Sequence, residues 1–398
     1  MGTLRLFATG PLSVWFVLLF SPLASSQDKP APIVIGESIT IHSTILQEDR
    51  SILIYKPDGY TESTARYPVL YLLDAEAHLV HTGSMVNYMA SLGIMPKLLI
   101  VGIINADRGR DMTPKPKNGV DKDFPSGGGA EQFLSFINQE VKPFIKSHYR
   151  TDVYEILAGT SLSGLFSINT LLTHSTDFNA YFAISPALWW DKQAVPQVAE
   201  TVLTKAVTRK TFLYFTLCPD DSELLQESTN RLKRILENRQ ADGLSWQFKF
   251  ISDETHNSVV HLGLYWALKA LYKNWQLAQV DNLAKLEQHY RLLSAQYGYP
   301  IEVPEEQLNS LGYQLLFGGK AFESIAVFKR NVARFPTSSN AYDSLGDAYK
   351  LAGELLLAKS SYEKAYSLGK EANSLNLASY LNNVEQVKKL INQQSQKK

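Results

Sequence analysis

Three almost unbroken apolar runs constrain this chain more than any other feature: Val69-Leu70-Tyr71-Leu72-Leu73, Leu98-Leu99-Ile100-Val101-Gly102-Ile103 and Tyr154-Glu155-Ile156-Leu157-Ala158. A strand with one wet face alternates apolar and polar residues, whereas a strand apolar in both phases has to be covered on both faces. Between such runs lies residues 130–148, where Phe133, Phe136, Ile137, Val141 and Ile145 recur at helical spacing. Further strand-like runs follow at Tyr181-Phe182-Ala183-Ile184, at residues 211–217 and at residues 246–251. Residues 33–55 differ, because Ile39-Thr40-Ile41 and Ser51-Ile52-Leu53-Ile54-Tyr55 alternate around a polar turn at Gln47-Glu48-Asp49-Arg50. The expected fold is α/β: an antiparallel hairpin leading into a mostly parallel sheet wrapped by helices.

A chain of 398 residues exceeds one ordinary domain. Beyond about residue 285 the strand runs stop and the sequence repeats itself at a spacing of 34: Leu311-Gly312 returns as Leu345-Gly346, Leu315 as Tyr349, Ser324 as Ala358 and Phe328 as Tyr362. That spacing resembles tetratricopeptide repeats. Two copies are too few to stand alone, so they are expected to lean on the preceding domain or on the helical tail around residues 375–391. At the other end, Arg5, an apolar run over residues 12–20 and the small residues up to Ser26 have the layout of a secretory signal. The expected organisation is a signal peptide over 1–26, an α/β domain over 30–280 and a small all-helical tetratricopeptide-like domain over 285–398. Export to the periplasm or outside the cell follows, with no stable membrane span once the signal is cleaved. Cys218 is alone, which excludes an intrachain disulfide. The 39 acidic and 39 basic residues balance, so net charge points to neither nucleic acid nor a membrane surface.

The sharpest local signal is Gly159-Thr160-Ser161-Leu162-Ser163-Gly164, directly after an apolar strand and before an apolar helix. It resembles the nucleophile elbow of α/β-hydrolases, G-x-S-x-G, with Ser163 in place of the second glycine. A serine nucleophile needs a base, and the base an orienting acid, in the order Ser, Asp or Glu, His. Asp220-Asp221 follows the run at 211–217 and His256 follows the run at 246–251. Asp221 is the chosen acid, with Asp220 the close second. His78 and His81 come too early in the order, and His261 belongs to the next helix. The developing oxyanion would be met by the N–H of Leu162 and the N–H of Glu76, the latter in Leu73-Asp74-Ala75-Glu76. There is no cluster with metal-ligand spacing, and Gly127-Gly128-Gly129 lacks dinucleotide or P-loop spacing, so no metal or cofactor is expected.

These segments together resemble the putative esterase family, which includes esterase D, the mycolyl-transferring antigens and bacterial esterases that open trilactone siderophores. The likeness spans residues 33–277. It also rests on Asn105-Ala106-Asp107-Arg108-Gly109-Arg110-Asp111, Ser185-Pro186-Ala187-Leu188-Trp189-Trp190 and Glu254-Thr255-His256-Asn257-Ser258. The resemblance implies a serine ester hydrolase acting on a small ester, with Arg108 or Arg110 meeting an anionic substrate and Trp190 lining an aromatic pocket. The same residues also fit a loop tied down by Arg110 and Asp111 beside a buried tryptophan pair. Where this chain has Asp74-Ala75 the family often has Asp-Gly. Acyl transfer or peptide cleavage by the same triad is the rival enzymatic reading. A non-catalytic scaffold whose repeats bind a protein partner is the rival from another class, and an intact Ser-Asp-His order argues against it.

Overall fold

The computed structural model describes residues 33–61, 64–119, 121–203, 210–239, 241–277 and 280–396. The signal peptide read over 1–26 lies outside them. The chain opens with β1 (Glu37–Ser43), β2 (Glu48–Tyr55), β3 (Tyr67–Leu72), α1 (Ala75–Ser91), β4 (Leu99–Ile103) and α2 (Arg108–Met112). Next come α3 (Ala130–Phe136), a π-helical turn (Ile137–Val141), α4 (Lys142–His148), β5 (Thr151–Thr160), α5 (Leu162–Thr173), β6 (Ala180–Ile184) and α6 (Trp190–Val202). β7 (Thr211–Leu217), α7 (Glu223–Asn238), β8 (Leu244–Phe250) and α8 (Val259–Leu271) close the α/β part. Then follow α9 (Leu283–Tyr297), α10 (Glu305–Phe317), α11 (Ala321–Arg334), α12 (Ser339–Leu351), α13 (Leu355–Glu371) and α14 (Leu377–Gln396).

The strands form one sheet in the order β1-β2-β4-β3-β5-β6-β7-β8. β1 and β2 pair antiparallel, as do β2 and β4, and every other pairing is parallel. β3 and β4 are buried at every position, which is why their sequence is apolar in both phases. One core cluster fills the face covered by α3, α4, α5 and α6, and a second the face covered by α1 and α8. No described helix is long and apolar enough to cross a membrane.

The first hairpin departs from expectation. Its turn lies at residues 44–47, and Glu48, Asp49 and Arg50 pair within β2 against Ser43, His42 and Ile41. The reason is remote in sequence: the Glu140 carboxylate accepts from Thr44 and Ile45 N–H and from the Ser43 and Thr44 hydroxyls, fixing the turn there. Arg50, polar in composition, is buried against Asp111 at 2.6 Å.

The helices beyond residue 283 form an all-helical region that shares the core of the sheet. Tyr297 packs edge-on against Tyr154 of β5, and its hydroxyl donates to the Leu271 carbonyl at 2.9 Å. Leu308, Leu311 and Leu315 of α10 complete the same cluster. Gly312 lies against the Phe328 ring and Gly346 against the Tyr362 ring, and a Cβ on either glycine would stand about 2.5 Å from ring carbon. Both contacts repeat at the spacing seen in the sequence.

Asp343 of α12 is half-buried, and its Oδ1 accepts from Asn383 at 2.9 Å. Burial pushes its carboxyl up to about 6, with Asn383 opposing and Asp347 adding to the rise. The folded state therefore holds this proton longer than the unfolded chain, and stability falls as pH rises from about 4 through 6. Asp343→Asn is expected to stabilise the fold at pH 8 by about 1 kcal/mol after allowance for partial exposure, and so to raise Tm there, and to change nothing below pH 4. Thermal denaturation of both proteins at pH 3.5 and pH 8 checks it.

Candidate active site

β3, β4, β5, β6, β7 and β8 run parallel, so their C-terminal ends share one edge of the sheet. Every residue chosen from the sequence for chemistry follows one of these ends. Ser161 is the single residue between β5 and α5, with φ 55° and ψ −115°, backbone that costs a non-glycine residue about 1–3 kcal/mol. The turn is held by the Ser161 N–H donating to Ile184 O and by the Ser161 carbonyl accepting from Leu165 and Ala187, all at 2.9 Å. Gly159 is obligatory: a Cβ there would come within 2.4 Å of the Ser163 carbonyl oxygen. Gly164 lies against Pro186, where a Cβ would be at 3.1 Å.

Asp221, in the turn after β7, has a fully buried side chain, and its Oδ1 lies 2.6 Å from His256 Nδ1. Its Oδ2 accepts from the Cys218 N–H at 2.8 Å and from the Ser185 hydroxyl at 2.9 Å. Burial alone would raise this carboxyl, but the His256 ring, the Cys218 N–H and the Ser185 hydroxyl hold it below its usual range. Asp220 faces outward and accepts the His256 backbone N–H at 3.1 Å. Ser185 follows β6 at φ 42°, and its N–H donates to the Thr216 hydroxyl. It therefore links the strand beside Ser161 to the acid on β7. In the sequence Ser185 is marked only by its strand-end position and its place in the Ser185–Trp190 motif, neither of which points to Asp221.

Leu162 and Glu76 belong to the first turns of α5 and α1, whose leading N–H groups have no acceptor within their own helix. β3 and β5 are neighbours, and the Leu73 N–H donates to Ala158 O at 2.9 Å, so the two helix starts lie side by side. Asp74, at φ 53° and ψ 39°, turns the chain into α1.

The model of the family described as "Putative esterase" matches residues 43–257, more than half of the chain. This chain belongs to the putative esterase family. The ferri-bacillibactin esterase BesA of Bacillus subtilis is 30% identical over 236 residues, covering 52% of this chain and 80% of that protein. The crystal structure of an IroE-like serine hydrolase from Shewanella oneidensis superposes with a TM-score of 0.69 at 27% identity, over 75% of this chain and 99% of that one. An uncharacterised protein from Capnocytophaga ochracea shares the fold over 89% of this chain, with a TM-score of 0.61 and 19% identity.

In this esterase the three residues expected to meet substrate each bond within the protein. Arg110 makes a two-nitrogen contact with Glu48, at 2.6 and 3.1 Å, and its Nε lies 2.7 Å from Asp111. Glu48 is correspondingly held down at about 2, first by Arg110. Trp190 is 1% exposed and its indole N–H donates to Pro114 O at 3.1 Å. Arg110 and Trp190 thus hold the loop after β4 in place. Trp190 and its half-buried neighbour Trp189 line a cleft together with Pro116, Asn118 and Lys192, as expected of Trp190. Arg108 is likewise committed, reaching Asp74 through Nε at 2.7 Å and Nη2 at 3.0 Å.

His78, His81 and His261 touch in series at 3.1 Å, bridging α1 and α8. Burial, then the two neighbouring rings, lowers His81 to about 4. His81 uses one nitrogen for each neighbour, so the rings form a chain rather than converging on a point, and no described group of three or more such side chains is placed to hold a metal.

Cys218 is buried, and burial followed by the Asp221 carboxylate pushes its thiol up to about 11. It is the chain's one cysteine. A disulfide reagent such as DTNB at pH 8 is therefore expected to titrate no thiol in the native esterase and one in denaturant. Rapid native labelling would show that the turn around Asp221 opens.

Proposed function

We propose that this esterase cleaves carboxylic esters through an acyl-enzyme formed on Ser161, with His256 as general base and Asp221 as the acid that orients it. The observation that carries this reading is the 2.6 Å contact of His256 Nδ1 with the buried Asp221, on the sheet edge where Ser161 sits in a strained turn. With Nδ1 donating to a carboxylate, the neutral ring presents Nε2 as acceptor. The Ser161 proton passes to Nε2 as Oγ attacks the ester carbonyl. Collapse of the tetrahedral intermediate breaks the bond to the alkoxy oxygen, and the imidazolium returns its proton to the leaving alcohol. Water then repeats the sequence on the acyl-enzyme, releasing the acid and free Ser161. The N–H groups of Leu162 and Glu76 would receive the oxyanion, since each heads a helix with no internal acceptor.

The substrate we propose is a small ester of siderophore type, the class named in the siderophore enterobactin esterase of Emericella nidulans, a relative 30% identical over 118 residues. Because Arg108 and Arg110 are paired internally, its binding would depend on the shape of the cleft beside Trp189 more than on free cationic side chains. The apolar run over residues 12–20 and the small residues up to Ser26 support a location outside the cytoplasm. The helical region, with Phe317, Phe322, Leu351 and Leu356 exposed near its helix ends, is proposed to meet a protein partner.

Hydrolysis of a p-nitrophenyl ester series, and then of trilactone siderophores with and without iron, tests this. Ser161→Ala and His256→Ala should each lower kcat by about 10⁴-fold or more. Asp221→Asn should cost about 10⁴-fold, whereas Asp220→Asn, which touches only the backbone of His256, should cost less than about tenfold. Wild-type protein that neither hydrolyses these esters nor reacts with a fluorophosphonate probe overturns the reading.

A further inference from the structure

Ser163 departs from the glycine of the elbow motif, and tolerance of a small residue does not describe what it does. Its side chain is fully buried, and its hydroxyl lies 2.5 Å from Asp74 Oδ2, 2.8 Å from Thr160 O and 2.7 Å from the Thr160 N–H that donates to it. A hydroxyl carries one proton, and a carboxylate is the stronger of the two acceptors. The proton therefore goes to Asp74 while the oxygen accepts from Thr160. Asp74 is the left-handed residue from which α1 starts, and Thr160 is the last residue before Ser161.

We propose that Ser163 is a positioning residue that locks the nucleophile turn to the loop that starts α1, and so sets the spacing between the two backbone donors of the oxyanion site. It acts through Asp74 and touches no substrate. Arg108 closes the brace from the other side: it holds both Asp74 oxygens and donates to the Thr160 carbonyl at 3.0 Å. Asn105 steadies the far end, donating to Asp74 Oδ1 and to Glu76 Oε1, both at 2.6 Å. Burial alone would raise the Asp74 carboxyl, but Arg108, Ser163 and Asn105 together hold it below its usual range. Ser163, the departure from the elbow motif, thus bonds to Asp74, the aspartate that this chain has in common with the family's Asp-Gly.

Such a brace matters because an oxyanion donor works only within a few tenths of an ångström of the place where charge develops. Loosening it should weaken binding of the transition state and leave binding of the ground-state ester alone. The inference rests on the serine-triad reading of the site, and the test separates the two. In Ser163→Ala, kcat per active site, counted with a fluorophosphonate, should fall about 10- to 100-fold, somewhat less than for outright loss of an oxyanion donor. KM should stay within about twofold, and affinity for a trifluoromethyl ketone analogue should fall by the same factor as kcat/KM. The pH profile should keep its acid limb, since Asp221 and His256 are untouched. Ser163→Cys, which keeps a weak donor of similar size, should recover part of the loss, and it carries the same measurements if Ser163→Ala does not fold.

Unchanged kcat per active site with a lowered Tm would overturn the proposal and leave Ser163 a folding contact. A fall in kcat without a matching fall in analogue affinity would overturn it too. Wild-type protein inert to ester and probe would instead remove the triad reading and this proposal with it.

Discussion

The buried carboxylate of Asp74 is the interaction around which the catalytic edge of the sheet is assembled. It lies between the ends of two parallel strands, β3 and β5, where helix starts bring unpaired N–H groups together. A charge in that position is costly unless paired and hydrogen-bonded, and here Arg108, Asn105 and Ser163 converge on its two oxygens. The cost of burying Asp74 therefore becomes geometric definition. Removing any one partner leaves the others around a charge with nowhere to go.

A second carboxylate, Asp221, plays the corresponding part across β6 and β7. It is buried and met by His256 on one oxygen and by Cys218 and Ser185 on the other. Ser185 stands at φ 42° and Ser161 at φ 55°, on neighbouring strands joined by the Ser161 to Ile184 hydrogen bond. Two strained residues side by side persist because the ladder behind them is buried on both faces and cannot relax. Rigidity of the sheet and strain of the turns are two aspects of one arrangement.

Much of this was legible in order of residues alone. The apolar runs of β3 and β4, the helical period over residues 130–148 and the small residues around Ser161 each report a local requirement: a covered face, an amphipathic stripe, a tight turn. Gly159 reports its own constraint as well, since no side chain fits against Ser163. Arg110 and Trp190 show where such reading stops. A charged residue and a large aromatic near a strand end fit ligand recognition and loop packing equally well, and only the tertiary structure shows Arg110 paired with Glu48 and Asp111 while Trp190 both bonds to Pro114 and lines the cleft. The hairpin turn moved for a similar reason, because its cap, Glu140, lies nearly a hundred residues away.

By itself the sequence determined the parallel sheet, the covered strands, the all-helical C-terminal region and the identity of the serine turn, since each follows from periodicity or from steric demands within a few residues. The tertiary structure decided which aspartate faces His256, that Ser163 bonds to Asp74, that Ser185 bonds to Asp221, and that Arg108 and Arg110 are paired within the fold. These are contacts between side chains dozens of residues apart, set by strand order and by what else competes for each buried charge, and no local pattern carries that information.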